Sequence, residues 1–414
     1  MNTALIFQIL NVIFFILFAF ITFHFTLFVL SLLRKKASLP KHEPPISVII
    51  PAYNEEKNIG VCLNALLSTK YSPMQIIVVD DGSTDGTECV VKNFSGSANQ
   101  IMYMRANHLG KTKALNAGIA KAKHEIIVTL DADTIVDHDF FIEIVRPFSN
   151  PKVGATSGSA RVHNNTNALT VFQTVEYHYN NLIRHYFSDL FDQGIWFFGC
   201  VAAYRKSVLA KIDYFSTDTV AEDMDIALAI KSQGYLVVNV PFATATTVVP
   251  DTLVGLYNQR RRWWIGALQS LGKHRKLLGT WSVPTVFLYV NQYWWTFFAF
   301  VSLPILAFQI AFWWPDTLTS QIFYIIRWFS IAGPVYYLYK LPEWGITWSS
   351  FFGVCSGILS TVLIGASLKV YKASFKPSNL LAIIFYYPYT IILNVCIVIG
   401  IITAPFDRKK TFIK

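Results

Sequence analysis

The 414-residue chain is short of charge: only 14% of its residues are Asp, Glu, Lys or Arg, against about 25% in an ordinary soluble domain. The deficit is concentrated. Residues 1–33, 277–315, 344–368 and 377–406 contain no Asp, Glu, Lys or Arg. Each run exceeds the roughly 20 residues a helix needs to cross a hydrocarbon core. Residues 322–341 are apolar apart from Arg327 and Lys340 and form a weaker candidate. A wholly soluble protein is thereby excluded. A removed signal peptide also fits poorly. No basic region precedes the first run, no small-residue cleavage site precedes Arg34, and the run outlasts the roughly 7–15 apolar residues of a leader. An anchor is the expectation.

Cysteine is scarce as well. The five (Cys62, Cys89, Cys200, Cys355, Cys396) are odd in number and show no C-x-x-C spacing, which argues against a disulfide framework or zinc site and for a reduced compartment. Neither G-x-G-x-x-G nor a P-loop follows the first strand, so dinucleotide and P-loop readings are weak. The net charge of +10 invites a nucleic-acid partner, but the basic residues sit beside the apolar runs: Arg34, Lys35 and Lys36; Lys273, His274, Arg275 and Lys276; Arg408, Lys409, Lys410 and Lys414. That is the positive-inside bias, and it places the soluble domain and the tail in the cytosol of a multi-pass plasma-membrane protein. No nucleic acid is expected. An even number of spans between domain and tail favours four, although Lys372 and Lys376 would then lie outside.

What remains is ordinary globular sequence. The expected organisation is an N-terminal transmembrane helix over 1–36, a cytosolic domain over 41–270, a membrane region over 271–406 with three or four helices, and a basic cytosolic tail over 407–414. In the domain's first half, strands at 46–50, 76–79, 101–104 and 126–130 alternate with helices carrying Ile59, Leu63, Leu66 and Leu67, or spanning 112–123. Ser83, Thr84 and Asp85 have helix N-cap chemistry. Repeated β-α units imply a mostly parallel sheet with helices on both faces, and such sheets bind ligands beyond the carboxyl ends of their strands. Those ends carry Tyr53, Asn54 and Glu55; Asp80 and Asp81; and Asp131 and Asp133.

Asp131-Ala132-Asp133 offers two carboxylates at i and i+2, a donor set for Mg²⁺ or Mn²⁺ bridging to substrate phosphates; capping or turn aspartates explain the triplet alone equally well. Glu222-Asp223 supplies a carboxylate able to take a proton from an attacking hydroxyl, or, with Asp225, an acidic first turn on a helix dipole. In Gln259-Arg260-Arg261-Arg262-Trp263-Trp264, Arg suits a diphosphate and Trp a sugar face; a membrane-interface belt competes for Arg260, Arg261 and Trp264.

The ordered series 51-PAYNEE-56, 80-DDGSTD-85, 110-GKTKALNAG-118, 131-DAD-133, 222-ED-223 and Gln259-x-x-Arg262-Trp263 resembles the family 2 processive glycosyltransferases, which include the cellulose, chitin, hyaluronan and poly-N-acetylglucosamine synthases. The stretches 130–137 and 173–177 are most similar to the bacterial poly-β-1,6-N-acetylglucosamine synthases. The resemblance covers about residues 46 to 264. It implies an α/β domain of the GT-A nucleotide-sugar transferase type inserted between transmembrane α-helices. It further implies that Pro51, Tyr53, Glu55 and Asp81 hold the uridine of a UDP-sugar, that Lys111 and Asp131 approach ribose and diphosphate, and that Asp133 binds Mg²⁺ or Mn²⁺. Asp223 would be the general base. Glu222, Gln259, Arg262 and Trp263, with Gly199 and Cys200 of an acceptor-side loop, would bind the diphosphate and acceptor. The implied product is a β-linked polysaccharide, most readily poly-N-acetylglucosamine, exported through the membrane region. Implied partners are the UDP-sugar donor, a polysaccharide or lipid acceptor, membrane lipids and a small accessory membrane subunit. Ala221 stands where the family usually has Thr, which leaves open transfer of a single sugar to a lipid. The lack of a regulatory domain after the last span argues against a typical bacterial cellulose synthase.

Overall fold

The computed structural model describes residues 3–34, 40–69, 71–97, 100–373 and 376–406; Lys35, Lys36 and the basic tail 407–414 lie outside the described residues. In chain order the elements begin α1 (Thr3–Leu33), β1 (Ile46–Ala52), α2 (Ile59–Ser68), β2 (Met74–Asp80), α3 (Thr87–Ser97), β3 (Ile101–Arg105), α4 (Lys111–Lys121) and β4 (Ile126–Leu130). They continue β5 (Ile135–Val136), α5 (Phe140–Val145), β6 (Val153–Val162), α6 (Ala168–Phe191), β7 (Val201–Arg205), α7 (Lys206–Lys211), α8 (Glu222–Ser232), β8 (Leu236–Thr247) and α9 (Leu253–Lys273). Last come α10 (Val283–Trp313), α11 (Leu318–Phe329), α12 (Ala332–Trp344), α13 (Trp348–Val370), α14 (Pro377–Ile384) and α15 (Tyr386–Thr403). They fall into two compact units, one within 36–164, 187–295 and 399–414, the other within 1–35, 165–186 and 296–398.

The first unit is built on one eight-stranded sheet of order β3-β2-β1-β4-β7-β6-β8-β5. β1 runs parallel to β2 and β4, and β2 to β3. β6 and β8 are also parallel, while β4/β7, β6/β7 and β5/β8 are antiparallel. Side chains alternate between two covered faces, which explains why β1, β2 and β4 read as near-continuous apolar runs. Val48, Ile50, Val78 and Val128 face one core with Leu63 of α2 and Phe141 of α5. Ile49, Ile77, Val79 and Ile127 face a second core with Leu115 of α4 and Ile230 of α8. Each such buried side chain contributes roughly 1.5–3 kcal/mol. Covered on both faces, the sheet can expose functional groups only along its strand ends.

In the second unit, three helical segments among the described residues are long and apolar enough to cross a membrane: Asn11–Leu33, Ser350–Val370 and Tyr386–Thr403. α1 packs on α13 through Phe15 and Phe18, whose rings lie 5.3 Å from that of Phe352. The 277–315 run forms a short turn and the 31-residue α10, with Pro304 inside it. The weaker candidate at 322–341 is broken near Ser330 into α11 and α12, of 12 and 13 residues, each short of the roughly 20 that a crossing requires. Residues 165–186 pack with this unit although they lie inside the domain by sequence. Phe172 stacks on Tyr389 at 5.3 Å, and the Tyr389 hydroxyl donates to Glu176.

Candidate active site

At the carboxyl end of the parallel strands, two loops are laced together by short polar side chains. The Asn54 N–H donates to Ser83 Oγ at 2.9 Å, and its Oδ1 accepts from the Thr84 N–H at 2.9 Å. The Glu55 N–H donates to Thr87 Oγ1 at 2.8 Å and the Glu56 N–H to Asp85 Oδ2 at 3.1 Å. Asn54 takes φ +56 to do this, a conformation that Asn tolerates better than most residues. Asp85, rather than Ser83 or Thr84, accepts from the first N–H of α3, that of Thr87, at 3.1 Å. Much of the 51–56 and 80–85 motif chemistry is therefore loop construction. Glu55 accepts from its own Asn58 at 2.8 Å, and Pro51 is a β1 residue paired with Val79.

Asp80 and Asp81 divide the work. Asp80 is fully buried and takes the Ser83 N–H and the Tyr103 hydroxyl, at 2.8 and 2.7 Å. Asp81 accepts the N–H groups of Leu109 and Gly110 at 2.7 and 2.8 Å, fixing the segment that leads into α4 and so the start of the Lys111 helix. His108 in that segment lies with its ring 4.3 Å from Tyr53 and its Nδ1 3.1 Å from the Asp81 carbonyl oxygen. Nothing in the sequence reading singled out His108; its φ of +46 is visible only in the fold.

Lys111 opens α4 and spans two carboxylates, Asp131 Oδ1 at 2.6 Å and Glu222 Oε1 at 3.1 Å. Burial alone would lower its ammonium; Asp131 and Glu222 outweigh burial and push it up, so Lys111 stays a cation. Beside it, Asp223 Oδ2 accepts the Gly199 N–H at 2.9 Å, and Oδ1 accepts the Met224 N–H at 2.7 Å. A Cβ on Gly199 would lie 2.6 Å from that of Asp223, so only glycine permits the approach. Burial, followed by the neighbouring Glu222 charge, raises the Asp223 carboxyl to about 6. One cavity is lined by Lys111, Asp131, Gly199, Glu222 and Asp223, together with Thr129 and Tyr204. Five residues named from sequence thus meet there. Thr129, missed by sequence, is a lone hydroxyl in an apolar strand and donates to the Gly199 carbonyl at 3.3 Å. Burial and the charges of Asp131, Asp133 and Asp223 push the half-buried Cys200 thiol up, which removes it as a nucleophile at neutral pH.

Asp133 accepts from Thr247 Oγ1 at 3.3 Å. Among the described residues, no group of three or more His, Cys, Asp or Glu is placed to hold a metal. The Asp131-Asp133 oxygens suit a hard divalent cation whose remaining ligands come from a diphosphate or water, so the residues fit Mg²⁺ or Mn²⁺ in that shared mode. On α9, Arg262 lies close enough for its charge to act on Lys111. The Gln259 Oε1 is buried without a hydrogen-bond partner among the described residues. Trp263 is half-exposed, with the Arg260 guanidinium 4.3 Å over its ring. Arg260 and Arg261 are only 5% and 4% exposed, which corrects the interface-belt alternative for both: α9 turns them into protein.

Residues 47–213 match the family model described as Glycosyl transferase family 2. The poly-beta-1,6-N-acetyl-D-glucosamine synthase of Staphylococcus aureus strain COL is 32% identical over 253 residues, covering 61% of this chain and 61% of that relative's own length. The same enzyme of Staphylococcus epidermidis is 32% identical over 228 residues, 55% of each chain. Among solved structures, a mannosyltransferase from Pyrobaculum calidifontis in complex with GDP-Man and Mn²⁺ matches 97% of this chain and 100% of its own, with a TM-score of 0.59 and 19% identity; that likeness concerns the fold. The sheet is accordingly of the GT-A type, and residues 47–213 are similar to the family 2 glycosyltransferases.

Proposed function

We propose that the chain is an inverting, metal-dependent membrane glycosyltransferase that moves N-acetylglucosamine from UDP-N-acetylglucosamine onto a growing β-linked polysaccharide. The observation that carries it is the cavity where Lys111, Asp131, Glu222, Asp223 and Gly199 converge. The sugar assignment is supported by the 32% identity to the staphylococcal synthases. Asp223 accepts the proton of the acceptor hydroxyl as that hydroxyl attacks the anomeric carbon; a carboxyl titrating near 6 is ionised at neutral pH yet more basic than an exposed aspartate. The Gly199 and Met224 N–H groups fix its two oxygens. Lys111 and Arg262 face the departing diphosphate, and Asp81 sets the loop that delivers Lys111. A divalent cation held by Asp133, with Asp131 beside it, neutralises diphosphate charge when bound. Tyr53 and Asp81 take the nucleoside end, while Gln259, Trp263 and Cys200 border the acceptor. The apolar helices set the enzyme in the plasma membrane with domain and tail in the cytosol, and carry the product outward.

The test is radiolabelled transfer by purified protein in lipid with Mg²⁺ or Mn²⁺. UDP-N-acetylglucosamine, UDP-glucose, UDP-glucuronate and GDP-mannose are offered separately, and the product is sized. Long polymer from UDP-N-acetylglucosamine alone supports the proposal. A single-sugar lipid product replaces polymer synthesis with lipid glycosylation, and transfer only from another donor overturns the sugar.

A further inference from the structure

The first turn of α8 carries three acids, Glu222, Asp223 and Asp225, and the reaction above uses only two. Asp225 points elsewhere. It is 2% exposed, its Oδ2 accepts from Lys273 Nζ at 2.8 Å, and its Oδ1 lies 2.7 Å from His274 Nε2. Both partners stand at the C-terminal end of α9, the helix that carries Gln259 and Arg262. Burial alone would raise the Asp225 carboxyl, but the hydrogen bonds from His274 and Lys273 outweigh it and hold the group low. A carboxylate sequestered in this way does more than complement a helix dipole.

The same end of α9 holds the loop entering α8. Lys273 also reaches Asp218 Oδ2 at 3.2 Å and Ser216 Oγ at 3.3 Å. The Val220 N–H donates to Gln269 Oε1 at 3.1 Å. At Gly266 a Cβ would fall 2.4 Å from that of Ala221, the α8 N-cap, so the helices touch one residue before Glu222. That contact gives the small residue at 221 a local reason. The Tyr289 hydroxyl donates to the carbonyls of Leu271 and His274, at 3.0 and 2.8 Å, which fixes the end of α9 itself.

We propose that Asp225 is a positioning residue for the transfer reaction: clasped by Lys273 and His274, it sets α8 on α9 and so fixes Asp223 relative to Arg262. The inference rests on the general-base reading of Asp223. It follows because the base and the diphosphate-side arginine sit on different helices, and displacing a reacting group by about 1 Å costs on the order of 100-fold in rate.

The experiment compares wild type, Asp225→Asn, His274→Ala and His274→Gln as full-length protein in lipid, by amide hydrogen exchange and by transfer kinetics. Asp225→Asn and His274→Ala are expected to speed exchange over residues 216–225 while β1 and β2 keep their protection. In both, kcat should fall roughly 10- to 100-fold with the donor KM within about 2-fold. His274→Gln, which keeps a donor at the Nε2 position, should restore both readouts. Unchanged exchange at 216–225 in Asp225→Asn overturns the clasp, and so does a loss of protection through the whole sheet with kcat and KM moving together, since that marks a merely structural acid. A wild type that transfers no sugar overturns the functional reading, while the exchange data still decide the clasp.

Discussion

β1 to β4 come from one stretch, residues 46–130, joined by local crossovers, whereas β6, β7 and β8 are drawn from residues 153–247 and mix parallel with antiparallel pairing. The two halves of the sheet place their functional groups differently. In the parallel half, loops adjacent in space hold one another through Asn54, Ser83, Thr84 and Asp81, so each group is set by near neighbours. In the other half, Asp223 is set by Gly199 and by a helix that answers to α9, roughly 50 residues later. Lys111 joins the halves by touching Asp131 on one side and Glu222 on the other. The lesson is that the donor end should tolerate local change better than the base end.

The sharpest way to break that contrast is to remove the proposed base, Asp223. Asp223→Asn should lower kcat by about 10²–10⁴-fold with the protein still folded in the membrane; wild-type turnover would remove Asp223 from its role. The same variant tests burial. Because the folded carboxyl is raised to about 6, its favourable contribution is complete below the unfolded value and is lost as pH rises through about 6. Asp223→Asn should therefore be more stable than wild type at pH 8, by about 2 kcal/mol given its partial exposure, and the gap should close toward pH 4. Denaturant titration at the two pH values reads it.

Asp133→Asn should abolish the Mg²⁺ or Mn²⁺ stimulation of transfer, measured by titrating metal at fixed donor; an unchanged titration removes Asp133 as a ligand. Gly199→Ala should cost roughly 100-fold in kcat with little change in donor KM, because its Cβ meets Asp223 at 2.6 Å. Asp81→Ala should have the smallest effect on turnover. Loss of two hydrogen bonds to a carboxylate frees the Leu109–Gly110 segment and should raise the donor KM roughly tenfold with kcat nearly kept. A larger kcat loss in Asp81→Ala than in Gly199→Ala would invert the contrast between the halves.

The parallel half was legible because its strands are apolar on both faces and its loops carry residues that only a turn or cap requires; β4 coincides with its expected bounds. The other half was not. β6 reads Val-Gly-Ala-Thr-Ser-Gly-Ser-Ala-Arg-Val, yet eight of its ten residues are buried, and small side chains under close-packed helices give no periodic signal. That Lys111, Asp131 and Glu222–Asp223 belong to one site was implied only by the family resemblance, and which acid faces which partner was not legible at all. Asp225 looked like one of three dipole acids, and Lys273 and His274 like juxtamembrane charge, until the fold placed them on Asp225. Arg260 and Arg261 resembled an interface belt because burial of an arginine is invisible without its neighbours. Likewise, the break near Ser330 leaves no mark in the hydropathy of 322–341.

The account turns on a half-buried aspartate working as a base. Its most direct test is the pH dependence of kcat/KM for transfer, at saturating metal and across about pH 5 to 8. The expected profile falls with unit slope below a midpoint near 6. A flat profile through that range would contradict Asp223 as the proton acceptor.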